Sequence, residues 1–157
     1  QRQMCIRDRG KAHALTHDVK KPNGWQNLGT YNRYQASEFG RFVQKLRNTP
    51  EPDGHGNMLD NTFAMHGSAS SSFHLSRNYP IISAGGKNLG FRNGRYLKFG
   101  TGNEDNQAGA GITTDSGWQS QVKVEEEPLA ALFVTILQRM GIDADSFSGH
   151  AGALARV

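Results

Sequence analysis

Apolar side chains recur at helical spacing in two stretches of this chain. In the first stretch they lie three or four positions apart on one stripe, which predicts a helix over about 30–46: Phe39, Phe42, Val43 and Leu46. Pro50 and Pro52 follow, and neither residue can continue the helical hydrogen-bond ladder. We therefore expect this helix to end before residue 50.

The second stretch predicts a closing helix that starts at about Pro128. Three glutamates precede it, where negative charge suits the positive end of the helix dipole, and Arg139 with Gly141 suits its end. Its apolar residues share one face, which we expect to be buried against a sheet: Leu129, Leu132, Phe133, Ile136, Leu137 and Met140. We interpret this face as core and give it no site role.

Short apolar runs bounded by turn residues predict strands between the two helices. Residues 62–65 suit one short buried strand, and the run from Pro80 to the Gly85-Gly86 pair suits another. Together they suggest an α/β layer. In residues 89–99 the Asn93-Gly94 pair predicts the turn of a β-hairpin. A Gly-Gly-Lys sequence at 85–87 favours a plain turn after the strand over an anion-binding nest.

Two polar stretches predict loops. Residues 10–28 contain the peptide HALTHD and a turn at Pro22 and Asn23-Gly24, so they read as a loop rich in side-chain chemistry. Residues 100–124 are rich in Gly, Asn, Gln, Ser and Thr and have little period. They predict a long loop, and their composition fits a functional loop and a mobile loop equally well.

The first ten residues, QRQMCIRDRG, show neither a helical nor an alternating period and no apolar run typical of a signal peptide. Their back-translation resembles a sequencing-library adapter. Our hypothesis is that residues 1–9 are a non-native, adapter-derived segment and that residues 10–157 are the C-terminal part of a single α/β domain. Cys5, the one cysteine, then carries no information about redox chemistry.

The chain has a formal net charge of +4, from 18 lysines and arginines against 14 aspartates and glutamates. Residues 1–9 hold three of these arginines and one aspartate, so without them the balance is 15 against 13, or +2. The remaining basic residues are scattered and do not form the basic face typical of nucleic-acid binding. No stretch approaches the ~20 apolar residues of a membrane span. We therefore expect neither a nucleic-acid partner nor a span.

Histidines supply the candidate chemistry. His13 and His17 stand four positions apart with Asp18 adjacent, and His66 and His74 flank the serine-rich exit from the first predicted strand. Imidazole and carboxylate are typical ligands of a hydrolytic zinc or similar divalent site, and sites collect at strand ends in α/β folds. Structural alternatives to a site role stay open: the His17-Asp18 pair could form hydrogen bonds with loop backbone groups, and His66 could be a core histidine.

The order of six motifs resembles the C-terminal half of the bacterial HXXSHH family, a domain of uncharacterised activity. The resemblance covers nearly everything from residue 13 to residue 152: HALTHD, YNRYQASEFGRFVQKL, TPEPDGHGNMLDNT, GSASSSFHLSRNYPIISAGG, GRYLKF and LAALFVTILQRMGIDADSFSG. The motif that names the family maps onto His13, Thr16, His17 and Asp18. His74 matches a histidine that recurs in the loop before the second strand.

The resemblance implies a fragment of an exported, periplasmic bacterial protein, distantly similar to alkaline phosphatases and sulfatases. The implied fold is part of their α/β sandwich, with two main helices and a few short strands, and the nucleophile lies upstream. The implied activity is metal-dependent hydrolysis of a phosphate or sulfate ester in a small-molecule or polysaccharide substrate. His13 and His17 would be catalytic, and His17, Asp18 and His74 would hold a divalent metal, zinc or calcium.

One departure from the superfamily pattern keeps a second class of function open. Ala69-Ser70 occupy the place where the sulfatase strand ends in a metal-holding Asp-His pair. The alternative is therefore a non-catalytic exported binding or assembly module that retains the fold. The oligomeric state is left open by the sequence.

Overall fold

A computed structural model of the chain describes residues 12–68, 80–99, 127–154 and 157. This part of the chain combines three α-helices with two small antiparallel sheets, which confirms a mixture of helix and strand. The helices are α1 (Ala12–His17), α2 (Gly24–Asn48) and α3 (Leu129–Arg139). The strands are β1 (Phe63–Gly67), β2 (Ile81–Gly85), β3 (Ser146–Phe147) and β4 (His150–Ala151). Residues 1–9, which we predict to be adapter-derived, and the predicted loop at 100–124 lie outside the described residues.

The chain divides into two compact units, one up to residue 45 and one from residue 46 onward. The prediction of a single domain over 10–157 stays a prediction. In the first unit the expected loop at 10–28 is wrong where α1, a 3-10 turn at Asp18–Lys20 and the start of α2 lie. The predicted turn is confirmed at residues 21–23, where Asn23 has a φ angle of 59°. A Cβ on Gly24 would lie only 1.9 Å from the Asp18 carbonyl oxygen, so only glycine allows this close entry into α2.

The helix α2 confirms the first helix predicted from the apolar stripe. It is longer than expected, running from Gly24 to Asn48, and it ends just before Pro50 as the proline rule requires. Its apolar stripe is only partly covered, because Gly24 is its one buried residue and Phe42 is 51% exposed.

The strands β1 and β2 pair antiparallel, with Phe63 opposite Gly85 and Gly67 opposite Ile81. Both strands were predicted, but the expectation that they are buried is wrong at most positions. Ala64 is the buried residue of β1, whereas Ile82 on β2 is 58% exposed. A two-stranded ribbon covers few of its own side chains, and this explains the exposure.

The turn after β2 is fixed by the loop at residues 49–62. The Gly86 N–H donates to the Leu59 carbonyl oxygen at 2.9 Å, and the Asn88 N–H donates to the Asp60 carbonyl oxygen at 2.9 Å. Gly85 and Gly86 both have positive φ angles, 84° and 68°. The Gly86 amide is therefore committed to the protein itself, as the turn interpretation of residues 85–87 requires.

The predicted hairpin at residues 89–99 is wrong, because the structure forms no strand there. Phe91 is buried and stacks on Phe63, with ring centroids 4.0 Å apart. The Asn93 side-chain amide donates to the Gly85 carbonyl oxygen at 2.9 Å. These tertiary contacts hold the segment in an irregular path instead of a local ladder.

The helix α3 confirms the closing helix, and Gly141, with φ 80°, follows its end as predicted. Its buried residues are Ala131, Val134 and Thr135, so the predicted buried face is wrong as a description of the core. Met140 of that predicted face is 59% exposed. The small residues are covered instead because the C-terminal segment packs closely on them: Leu154 is buried, and its N–H donates to the Thr135 hydroxyl at 2.7 Å.

Candidate functional site

The helix α1 brings the two predicted site histidines together. Residues four apart on a helix share one face, and the Nε2 atoms of His13 and His17 lie 2.9 Å from each other. Their rings meet edge to face, with centroids 4.7 Å apart and an angle of 74° between planes. Both side chains are exposed to solvent. The hydroxyl of Thr16 donates to the His13 carbonyl oxygen at 2.7 Å and ties the helix turn between them.

The geometry of this pair fits one metal ion. At the Zn–N distance of about 2.0–2.1 Å, two nitrogens of a tetrahedral site lie about 3.3–3.4 Å apart. The two Nε2 atoms are 2.9 Å apart. A small side-chain rotation that increases this distance by about a few tenths of an ångström meets the requirement. Without a metal, one ring can donate its N–H to the other ring's lone pair. The pair is thus suited to share either a proton or a cation.

Asp18 follows His17 directly but is held by a different partner. Its Oδ1 atom lies 2.8 Å from the Nζ atom of Lys21, in an ion pair one turn along the chain. Within the described residues, no three His, Cys, Asp or Glu side chains form a group able to hold a metal. The structure therefore brings His13 and His17 together without adding Asp18 to them.

His74, the remaining predicted ligand, lies outside the described residues. The metal set of His17, Asp18 and His74 therefore stays a prediction. The serine-rich stretch after residue 68 also lies outside the described part.

The other described histidines take up separate positions. His66 is half-buried on β1 opposite Ile82. His55 is exposed in the turn after α2, where its N–H donates to the Asp53 carboxylate at 2.9 Å. His150 is half-buried on β4.

Sequence reasoning missed an arginine with unusual surroundings in the second unit. The Arg139 guanidinium carbon lies 4.4 Å from the centroid of the Phe91 ring. Burial, followed by the positive charges of Arg92 and Arg95, lowers the pKa of the Arg139 guanidinium from its ordinary value. Arg139 was interpreted only as a helix-end signal, and its distance in sequence from Phe91 gave no sign that the two side chains approach each other.

An open pocket of about 410 Å³ lies beside the turn after β2. Its lining mixes backbone, apolar and polar groups: Leu59, Asp60, Ser83, Ala84, Gly85, Lys87, Phe91 and Asn93. The Asp60 carboxylate accepts from the Asn57 N–H at 3.2 Å, and the Asn93 amide donates to Gly85. These polar groups bind the protein's own backbone, so the histidine pair remains the stronger candidate site.

Comparison of the chain with protein-family models, with curated proteins and with solved structures found no match. Among the described helices, none has the length and apolar character needed to cross a membrane. The geometry of the side chains therefore carries the argument for a metal site.

Proposed function

We propose that this chain binds a divalent metal through His13 and His17 and belongs to an exported, periplasmic hydrolase of phosphate or sulfate esters. The observation that supports the metal site is the approach of the two exposed Nε2 atoms to 2.9 Å on one helix face. The similarity of the HALTHD motif to the HXXSHH family supports the hydrolase. The same resemblance supports an alkaline phosphatase-like or sulfatase-like sandwich as the complete fold.

Zinc suits the pair better than calcium does. Imidazole nitrogen is a common zinc ligand, whereas calcium takes six to eight oxygen ligands. Both donors of the pair are nitrogens, and the nearest carboxylate in sequence, that of Asp18, pairs with Lys21. Of the two ions implied by the resemblance, we therefore propose zinc.

In the proposed reaction the residues of this chain bind the metal and keep it accessible to the substrate. A bound divalent ion supplies polarisation of the ester oxygen and stabilises charge on the leaving group. The Nε2 atoms of His13 and His17 lie 2.9 Å from each other and both side chains are exposed to solvent, so a substrate can reach them. Lys21 holds the Asp18 carboxylate and leaves the imidazoles as the exposed donors. By the resemblance, the nucleophile and a further ligand, His74, complete the site.

Zinc titration of the metal-free chain tests the metal site. We expect saturable binding that weakens at least about tenfold in His13→Ala or His17→Ala, since even the loss of an outer-shell group costs metal sites 10–100-fold. His55→Ala, which removes an exposed histidine elsewhere, is the matched control and should bind as the unaltered chain does. Binding should also weaken at acid pH because the ligands must be neutral imidazoles.

Undiminished zinc binding by the His13→Ala, His17→Ala double variant would overturn the ligand assignment. The hydrolase is tested separately with aryl phosphate and aryl sulfate esters on the zinc-loaded protein extended by the upstream half, because the resemblance places the nucleophile there. Turnover that is lost in His17→Ala supports the enzyme. Zinc binding without turnover supports the second candidate, a non-catalytic exported module, which the Ala69-Ser70 departure favours.

A further inference from the structure

The open pocket beside the turn after β2 has walls that the protein ties together. The Gly86 N–H donates to the Leu59 carbonyl oxygen at 2.9 Å, and the Phe91 N–H donates to the Gly86 carbonyl oxygen at 3.0 Å. The Phe91 ring is buried and stacks on Phe63. At about 410 Å³ the pocket lies within the ~300–1,000 Å³ range of small-molecule sites. Because its walls are fixed in advance, a ligand loses little affinity to ordering them.

Two opposite charges line this pocket and do not neutralise each other. One is carried by Lys87, which is exposed, and the other by Asp60, which is half-buried. Within the described residues neither side chain forms an ion pair, with the other or with a third residue. Asp60 uses its Oδ2 atom to accept from the Asn57 N–H, which leaves its Oδ1 atom for a ligand. The pocket therefore offers a cation and a carboxylate oxygen.

The edge of β2 adds a backbone donor and a backbone acceptor to the same pocket. The Ser68 N–H donates to the Pro80 carbonyl oxygen at 3.3 Å, and this bond sets the phase of the antiparallel ladder. In that phase Ala64 and Ala84 form a hydrogen-bonded pair, so the N–H and C=O of Ser83 point away from β1. Ser83 lines the pocket and is exposed. No hydrogen bond to these two groups is formed within the described part of the chain.

We propose that this pocket binds a free α-amino acid with an apolar side chain. The ligand carboxylate accepts from the Lys87 ammonium and the Ser83 N–H, and the ligand ammonium donates to the Asp60 carboxylate and the Ser83 carbonyl oxygen. One strand residue presents its N–H and C=O side by side, as a second strand would meet them. The carboxylate and ammonium on one α-carbon match that spacing. The ligand side chain packs against the apolar walls at Leu59 and Phe91.

The two opposed charges favour a zwitterion over a simple ion. An inorganic anion would pair with Lys87 but would meet the repulsion of Asp60, and a simple cation would meet the reverse. The interior of a peptide carries neither charge on its backbone, so it would leave both groups without a partner. A free amino acid supplies both partners at once.

This site is independent of the proposed function. It lies in the second unit, uses neither His13 nor His17, and needs no metal. An experiment in the presence of a chelator therefore tests it alone, and failure of the zinc site leaves it untouched.

The test is a calorimetric titration of the full chain with L-phenylalanine and with L-leucine, with a chelator present. We expect saturable binding and a rise in Tm with the ligand. Two analogues each lack one charge: phenylethylamine lacks the carboxylate, and 3-phenylpropionate lacks the ammonium. Each should bind at least about tenfold more weakly than phenylalanine, since each loses charge-assisted hydrogen bonds.

Variants of the two charged residues test the assignment of partners. Asp60→Asn should weaken phenylalanine binding roughly tenfold but should not weaken the binding of 3-phenylpropionate, which has no ammonium. The asparagine oxygen can still accept from the Asn57 N–H. Lys87→Gln should weaken binding roughly threefold, because the ion pair of an exposed lysine contributes less. Lys20→Gln removes an exposed lysine in the first unit and should leave the affinity unchanged.

Three results would overturn the proposal. The first is the absence of saturable binding of both amino acids. The second is equal affinity for phenylalanine and its two analogues. The third is unchanged affinity in the Asp60→Asn, Lys87→Gln double variant, whose folding circular dichroism checks. Should that variant not fold, Lys87→Gln and the analogues decide, because an exposed side chain can be replaced without disturbing the core.

Discussion

Two glycines in the second unit have nearly the same positive φ angle but differ in the space around them. Gly85 has φ 84° and Gly90 has φ 83°. A Cβ on Gly85 would lie 2.2 Å from the Thr62 carbonyl oxygen and 2.6 Å from that of Leu59, whereas a Cβ on Gly90 would meet nothing within 4 Å. Comparing Gly85→Ala with Gly90→Ala therefore separates steric conflict from backbone strain.

The magnitudes follow from these distances. Placing an L side chain in the left-handed region costs about 1–2 kcal/mol, and alanine regains about 0.4–1 kcal/mol by restricting the unfolded chain. We therefore expect Gly90→Ala to lower the free energy of unfolding by about 1 kcal/mol. Gly85→Ala adds an overpacking cost of about 1–3 kcal/mol, because two of the three nearest atoms are backbone carbonyl oxygens, which cannot rotate away as a side chain can. Its expected total is about 2–4 kcal/mol.

Thermal unfolding followed by far-UV circular dichroism measures both variants. For a unit of this size about 4 °C of Tm corresponds to 1 kcal/mol, so Gly85→Ala should lower Tm by roughly 8–16 °C and Gly90→Ala by roughly 4 °C. The altered strand end should also weaken protection of the Gly86 amide, which donates to Leu59. Equal shifts for the two variants would refute the close approach of β2 to the loop at 49–62.

Two further predictions concern α3 and α1. Thr135→Val removes the buried hydroxyl that accepts from the Leu154 N–H, and should lower the free energy of unfolding, measured in urea, by about 1–2 kcal/mol. Thr30→Val loses only an exposed hydrogen bond to its own helix, and should change the free energy of unfolding by no more than about 0.5 kcal/mol. Equal effects would contradict the burial of Thr135. Zinc should increase the helical circular-dichroism signal of the unaltered chain and not that of the His13→Ala, His17→Ala variant. The reason is that α1 has six residues, fewer than the ~12–15 of a marginally stable isolated helix, so a bound metal should stabilise it. An identical spectrum with and without zinc would count against a metal-clamped α1.

The sequence predicted the elements whose signals are local. The apolar stripe and the prolines after it located α2, and Gly141 marked the end of α3. The helix α1 was missed because none of its residues is buried, so it has no apolar period to detect. The hairpin predicted at 89–99 was wrong because Phe91 is buried and stacks on Phe63. This contact joins residues that are nearly thirty positions apart in sequence, so no local pattern indicates it.

The same division applies to the candidate sites. The spacing of His13 and His17 could be read directly, since two residues four apart meet whenever their segment is helical. The approach of Arg139 to the Phe91 ring could not, because it depends on how α3 packs beside the segment around Phe91. Local periodicity thus predicted the histidine pair, whereas tertiary packing created the contact between Arg139 and Phe91.

The exposure of α1 connects the proposed metal site to local folding. No residue of α1 is buried, so the helix gains little from packing and relies on contacts such as the Thr16 bond and the meeting of the two imidazoles. A metal that holds His13 and His17 also holds the helix turn between them, so part of the binding free energy orders the backbone. Metal affinity and helix formation in α1 are then one equilibrium, and stabilising the helix without touching either histidine should tighten metal binding.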